Sequence, residues 1–132
     1  MNGARDESQI GVVGAGLIGM SWAGLFSAFG YATTVYDPHL KNRELATQSI
    51  IDIWRSLDSL FDNLTSKRPV EFSDKLDALK ASTFIQENCP EDLSLKQEVI
   101  SDLEKIISDK TIIASSTSSF LPSELQKGRI QP

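Results

Sequence analysis

The sequence predicts an α/β fold built on a doubly wound parallel sheet. Three observations carry that prediction. Short apolar runs alternate along the chain with segments of helical periodicity. The first apolar run, Gln9–Val13, leads straight into Gly14-Ala15-Gly16-Leu17-Ile18-Gly19. An acidic residue, Asp37, follows the second apolar run. A glycine turn between strand and helix, with an acid after the next strand, is how such a sheet forms a nucleotide crevice.

Each element follows from its local pattern. Gln9–Val13 is short and mostly apolar, as a buried strand is. A helix runs from about Leu17 to Phe29 and stops at Gly30, a residue suited to the left-handed conformation past a helix end. Ala32–Tyr36 is the second strand. From Asn42 to about Leu64, Leu45, Ile50, Ile53, Trp54, Leu57, Leu60, Phe61 and Leu64 recur at helical spacing, as one long amphipathic helix or two shorter ones. Trp54 on that stripe reads as packing. After a polar break, Val70–Phe72 is a short edge strand. Ser73 or Asp74 is placed to cap a helix reaching about Lys80, with Leu76 and Leu79 on its buried side. Thr83–Gln86 is a strand, Leu93 to Ile107 an amphipathic helix, and Thr111–Ala114 a β-rich strand. Pro122 opens a short helix that ends before Gly128. Right-handed crossovers then give the strand order 3-2-1-4-5. Residues 1–8 are expected to be disordered and residues 9–132 to form one domain. A further strand beginning near Ile130 is expected to be cut short.

Composition narrows the function classes. A chain of 132 residues supports one core. With 40% hydrophobic and 23% charged residues it reads as a soluble globular domain. A net charge of −5 and no Lys/Arg stripe argue against nucleic acid. No apolar run approaches a membrane span. The N-terminal stretch carries Asp6 and Glu7 and no apolar core, so the expectation is a cytoplasmic protein. Cys89 is the only cysteine, which excludes an internal disulfide and a cysteine-based metal site, and no metal is expected.

The glycine segment has a mechanical reading. Gly14 permits the tight turn, Gly16 lets backbone approach a pyrophosphate, and Gly19 lets the helix pack closely on the sheet. The helix start at Leu17 and Ile18 aims free N–H groups at the phosphates. Asp37 can accept hydrogen bonds from both hydroxyls of an adenosine ribose and repels a 2′-phosphate, so the cofactor read here is NAD rather than NADP. Two alternatives stand beside it: an ordinary glycine-rich turn, and a methyltransferase with a nucleoside over a similar loop. Glu87–Glu91 and Ser115–Ser119 lie at the carboxyl ends of the fourth and fifth strands, beside the same crevice.

Several pieces together resemble one family. They are Val12-Val13-Gly14-Ala15-Gly16-Leu17-Ile18-Gly19, Ser21-Trp22-Ala23, Tyr36-Asp37-Pro38, Ile85-Gln86-Glu87, Pro90-Glu91-Asp92-Leu93 and Ser115-Ser116-Thr117-Ser118-Ser119. The resemblance is to the NAD-binding domain of 3-hydroxyacyl-CoA dehydrogenases, nearest the lambda-crystallin / L-gulonate 3-dehydrogenase branch. It implies that the glycine loop and Asp37 hold the ADP half of NAD. It implies that Glu91 and Lys96 contact the cofactor near the nicotinamide ribose. It places Ser118 near the nicotinamide and the substrate hydroxyl. Ser116 stands where the acyl-CoA enzymes usually have Asn, and the segment between strands two and three is shorter than in typical relatives. Both departures move the implied substrate from a long acyl-CoA toward a small hydroxy acid.

The resemblance also implies a catalytic His at a position beyond Pro132 and a C-terminal helical domain. The only His in the chain, His39, lies at the adenosine end and reads as a solvated loop residue, so no catalytic residue is assigned. The expected function is the NAD-binding half of a dehydrogenase that oxidises a secondary hydroxyl, inactive as this chain alone. Two rivals remain: assembly into an active enzyme with further sequence, and a non-catalytic accessory protein. An open edge at the fifth strand is expected to favour self-association or a partner chain.

Overall fold

The computed structural model describes residues 8–61, 64–117 and 120–126. Its strands are β1 (Gln9–Val13), β2 (Ala32–Tyr36), β3 (Val70–Ser73), β4 (Phe84–Glu87) and β5 (Ile112–Ser115). Its helices are α1 (Leu17–Ala28), α2 (Leu40–Phe61), α3 (Leu93–Glu104) and α4 (Pro122–Leu125). All pairings are parallel, in the order β3-β2-β1-β4-β5. The register brings Ser73, Tyr36, Val13, Glu87 and Ser115, the last residue of every strand, into one row across the sheet. The loops that leave that row form the site.

Two apolar layers cover the sheet. On one side Ile10, Val12 and Val35 meet Met20 and Ala23 of α1 and Ala46 and Ile50 of α2. The two helices approach closely at Gly24, where a Cβ would come within 2.6 Å of Ile53. Trp54 donates to Ser27 Oγ at 3.1 Å, which makes it a packing residue with a satisfied indole N–H. On the other side Val13 and Ile85 pack with Leu79 and Leu103.

The differences from the sequence reading are local. The second helical stretch is one helix, and it starts at Leu40. Ser73 and Asp74 do not cap a helix: Ser73 ends β3 and its hydroxyl accepts from the Lys75 N–H at 3.0 Å. The residues after it, Leu76–Leu79, make a single 3-10 turn whose purpose is to bury Leu79. β4 and β5 each sit one residue later than expected, because pairing of β4 with β1, and of β5 with β4, sets their register. α3 ends at Glu104, and Ile106 and Ile107 still pack on the second layer from the turn that follows. Gly30 has φ 92°, the left-handed stop expected of it. Among the described residues β3 and β5 are the sheet edges, and no helix is long and apolar enough to cross a membrane. The expectations for residues 1–7 and for a strand near Ile130 lie outside the described residues.

Candidate functional site

The row of strand ends opens into a cleft of about 430 Å³ lined by the glycine loop and α1 start, Asn88 to Glu91, and Ser116. The three glycines stand in three different settings. Gly14 has φ 98°, and a Cβ there would also press on the Asn88 carbonyl oxygen at 2.8 Å. Its N–H donates to the Tyr36 carbonyl at 2.8 Å, which fastens the turn to β2. A Cβ on Gly19 would lie 1.9 Å from the Gly14 carbonyl oxygen, so α1 could not pack on the turn. A Cβ on Gly16 would meet nothing within 4 Å. The packing of the protein itself does not require glycine there. Gly16 also stands at the N-cap of α1 without a side-chain cap. Leu17 and Ile18 are exposed in the first turn, where backbone N–H groups lack intrahelical partners.

Asp37 is 5% exposed and its carboxylate organises the adjacent loop. Oδ2 accepts from the Ala15 N–H at 2.9 Å, inside the glycine turn, and Oδ1 accepts from the His39 N–H at 2.9 Å. Asn42 Nδ2 bridges both oxygens at longer range, 3.4 and 3.2 Å. Arg43 Nη1 donates to the Asp37 backbone carbonyl oxygen at 2.7 Å. The Tyr36 phenol is raised in pKa by burial and then by the neighbouring Asp37 charge. The His39 side chain is exposed at this end, away from β4 and β5.

Across the cleft a buried network holds the loop after β4. Lys96 Nζ lies 2.7 Å from Glu87 Oε2, 2.9 Å from the Cys89 carbonyl oxygen and 3.3 Å from Glu91 Oε1. Glu87 also accepts from the Cys89 N–H at 2.6 Å and from Ser115 Oγ. Thr117 Oγ1 donates to Glu91 Oε2 at 2.9 Å. Lys96, which the resemblance implies contacts the cofactor, is held by protein groups here. Its side chain is 1% exposed, its ammonium is engaged by three acceptors, and two of these belong to the cleft-lining residues Cys89 and Glu91. Glu91 itself is 40% exposed and lines the cleft. Burial pushes the Cys89 thiol up to about 12, with the Glu87 charge adding to the shift and Lys96 opposing it. Ser118 lies outside the described residues. Two residues in the cleft region, Gln86 within a family motif and Asn88 within Glu87–Glu91, were placed by the sequence without a role of their own.

The chain matches the family model "3-hydroxyacyl-CoA dehydrogenase, NAD binding domain" over residues 9–132. It belongs to this family. An L-carnitine dehydrogenase/betainyl-CoA thioesterase from Agrobacterium fabrum is 33% identical over 124 residues, 92% of this chain and 26% of that protein. A lambda-crystallin homolog from Mus musculus is 35% identical over 124 residues, 89% of this chain and 39% of that protein. The chain thus spans between a quarter and two-fifths of the curated relatives it matches. Among solved structures, an NAD+-dependent 5-dehydrogenase of a hydroxymethylpyridine carboxylic acid superposes with TM-score 0.83 at 29% identity, covering 92% of this chain and 40% of that one. The 3-hydroxybutyryl-CoA dehydrogenase of Escherichia coli shares the fold, with TM-score 0.83 at 18% identity, over 93% of this chain and 27% of that one. In this NAD-binding domain, the open space above Gly16 and the uncapped start of α1 are what a pyrophosphate requires.

Proposed function

We propose that this domain holds NAD across the strand ends and serves as the cofactor half of a dehydrogenase that oxidises a secondary hydroxyl. The observation that carries the reading is Gly16, a glycine that faces open cleft space and is needed by nothing in the protein. The pyrophosphate lies against Gly16, Leu17 and Ile18, the adenosine ribose at Asp37, and the nicotinamide half beside Asn88, Glu91 and Ser116. NAD supplies the hydride acceptor when bound. The chain's own residues bind and orient it. The relatives named for L-carnitine favour a small hydroxy acid over a long acyl-CoA. The proposed setting is the cytoplasm, where Cys89 stays reduced.

A base must take the hydroxyl proton during such an oxidation. His39 is at the wrong end of the cleft, and Glu87 is fully buried and engaged by Lys96, Cys89 and Ser115. The 132-residue polypeptide is therefore expected to bind cofactor without turnover. The edge strand β5 favours association with a second copy or a partner, with Ile112 62% exposed on it.

The test combines a thermal scan with an activity assay. NAD is expected to raise the melting temperature, since a ligand that binds only the native state stabilises it. L-carnitine, L-gulonate and L-3-hydroxyacyl-CoA are each expected to give no NADH above background. A melting temperature indifferent to millimolar NAD would refute the binding reading, and steady NADH production would refute the assignment of no base.

A further inference from the structure

The ends of β4 and β5 are joined by a chain of side-chain hydrogen bonds that the glycine fingerprint does not require. Asn88 Nδ2 lies 3.3 Å from the Val13 carbonyl oxygen and 3.1 Å from that of Gln86. Both are acceptors only, so the amide nitrogen must face them and Asn88 Oδ1 must face Ser116. Ser116 Oγ donates to that oxygen in a short bond. A serine hydroxyl has one proton, and it is spent there. Gln86 Nε2 donates to Ser116 Oγ at 2.8 Å. The reverse orientation of Gln86 would set its carbonyl oxygen against a hydroxyl with no proton left to give. The chain runs in one direction, from Gln86 through Ser116 and Asn88 to the Val13 carbonyl. Ser116 keeps one free lone pair, and it lines the cleft beside Asn88.

We propose that Ser116 is held as an acceptor-only group and selects a hydrogen-bond donor on the non-adenosine half of the dinucleotide. That donor is the carboxamide N–H or a hydroxyl of the ribose that bears it. Asn88 is the positioning residue, acting through Ser116. The proposal rests on the dinucleotide reading of the cleft. With the adenosine ribose at Asp37 beyond β2, the other half of the cofactor extends over β4 and β5.

The test is a set of titrations of the parent chain, Ser116→Ala, Asn88→Ala and the double variant. The ligands are NAD, 3-acetylpyridine adenine dinucleotide, ADP-ribose and AMP. The acetylpyridine analogue lacks the amide N–H, ADP-ribose keeps the ribose without the pyridine, and AMP reports on the adenosine end alone. Ser116→Ala is expected to weaken NAD about 5- to 10-fold, the worth of one hydrogen bond, and to leave AMP unchanged. If the carboxamide is the donor, the acetylpyridine analogue and ADP-ribose are unaffected. If the ribose hydroxyl is the donor, both weaken alongside NAD. Asn88→Ala is expected to weaken NAD in the parent background and to add nothing once Ser116 is Ala. Equal loss for all four ligands, or NAD affinity indifferent to Ser116→Ala, would overturn the proposal. A folded parent chain that binds AMP but neither dinucleotide would overturn the dinucleotide reading itself, and the proposal with it.

Discussion

The Lys96 ammonium sits 2.7 Å from the Glu87 carboxylate, with the two side chains 1% and 0% exposed, directly beneath the cleft floor. Each partner is further satisfied, Lys96 by the Cys89 carbonyl and Glu91, Glu87 by the Cys89 N–H and Ser115. The pair thereby ties α3, the loop after β4 and the end of β5 into one piece. Breaking one side of a buried pair leaves an uncompensated charge, at a cost of about 3–5 kcal/mol. Lys96→Met is therefore expected to lose about that much stability in urea denaturation. Adding Glu87→Leu should recover a large part of it, since no charge is then stranded. A single variant as stable as the parent would show that the pair does not hold the floor.

Asp37 has a cation at its shoulder. Arg43 Nη1 contacts its carbonyl oxygen at 2.7 Å, so removing the carboxylate leaves a guanidinium near the ribose position. The parent chain is expected to bind NADH more tightly than NADPH. Asp37→Ala should bring the two affinities together, because the 2′-phosphate then meets Arg43 instead of a carboxylate. Fluorescence titration with both cofactors measures the ratio. An unchanged ratio would remove Asp37 from cofactor selection.

The sheet was legible in the sequence because strand pattern and turn chemistry agree along the chain; β1 and β2 fall on the expected residues and the order is as read. The turn at Gly14 and the close packing at Gly19 were legible too, since each is a local steric demand. The burial of Lys96 was not. It depends on Glu87 across a loop, and no local pattern marks a lysine whose charge is matched from another element. Nor was the 3-10 turn at Leu76–Leu79, where tertiary demand to bury Leu79 overrode the helix expected from its spacing. Asn88 is the same kind of residue: its meaning comes from Ser116, which is distant in sequence.

Cys89 gives a pH-dependent probe of the cleft it lines. Burial, aided by the Glu87 charge, pushes its thiol up to about 12 from an ordinary 9.0. The thiolate is the reactive form, so iodoacetamide labelling of the folded chain should be slow at pH 7 and rise only as pH approaches 12. In urea the same thiol should titrate near 9.0. Native stability should fall between those two pH values, because the unfolded chain releases this proton first. Rapid labelling of folded protein at pH 7 would contradict the half-buried, neutral thiol.

Calorimetric titration of NADH into the parent chain and into Gly16→Val tests the central claim most directly. The Gly16 position has ordinary extended backbone, and a Cβ there meets nothing within 4 Å, so the variant is expected to fold. Saturable binding to the parent at micromolar to millimolar concentration and none to the variant is expected, with melting curves within a few degrees of each other in the absence of cofactor. Equal binding by both chains would show that the space above Gly16 is not where the pyrophosphate lies, and the site would have to be sought elsewhere.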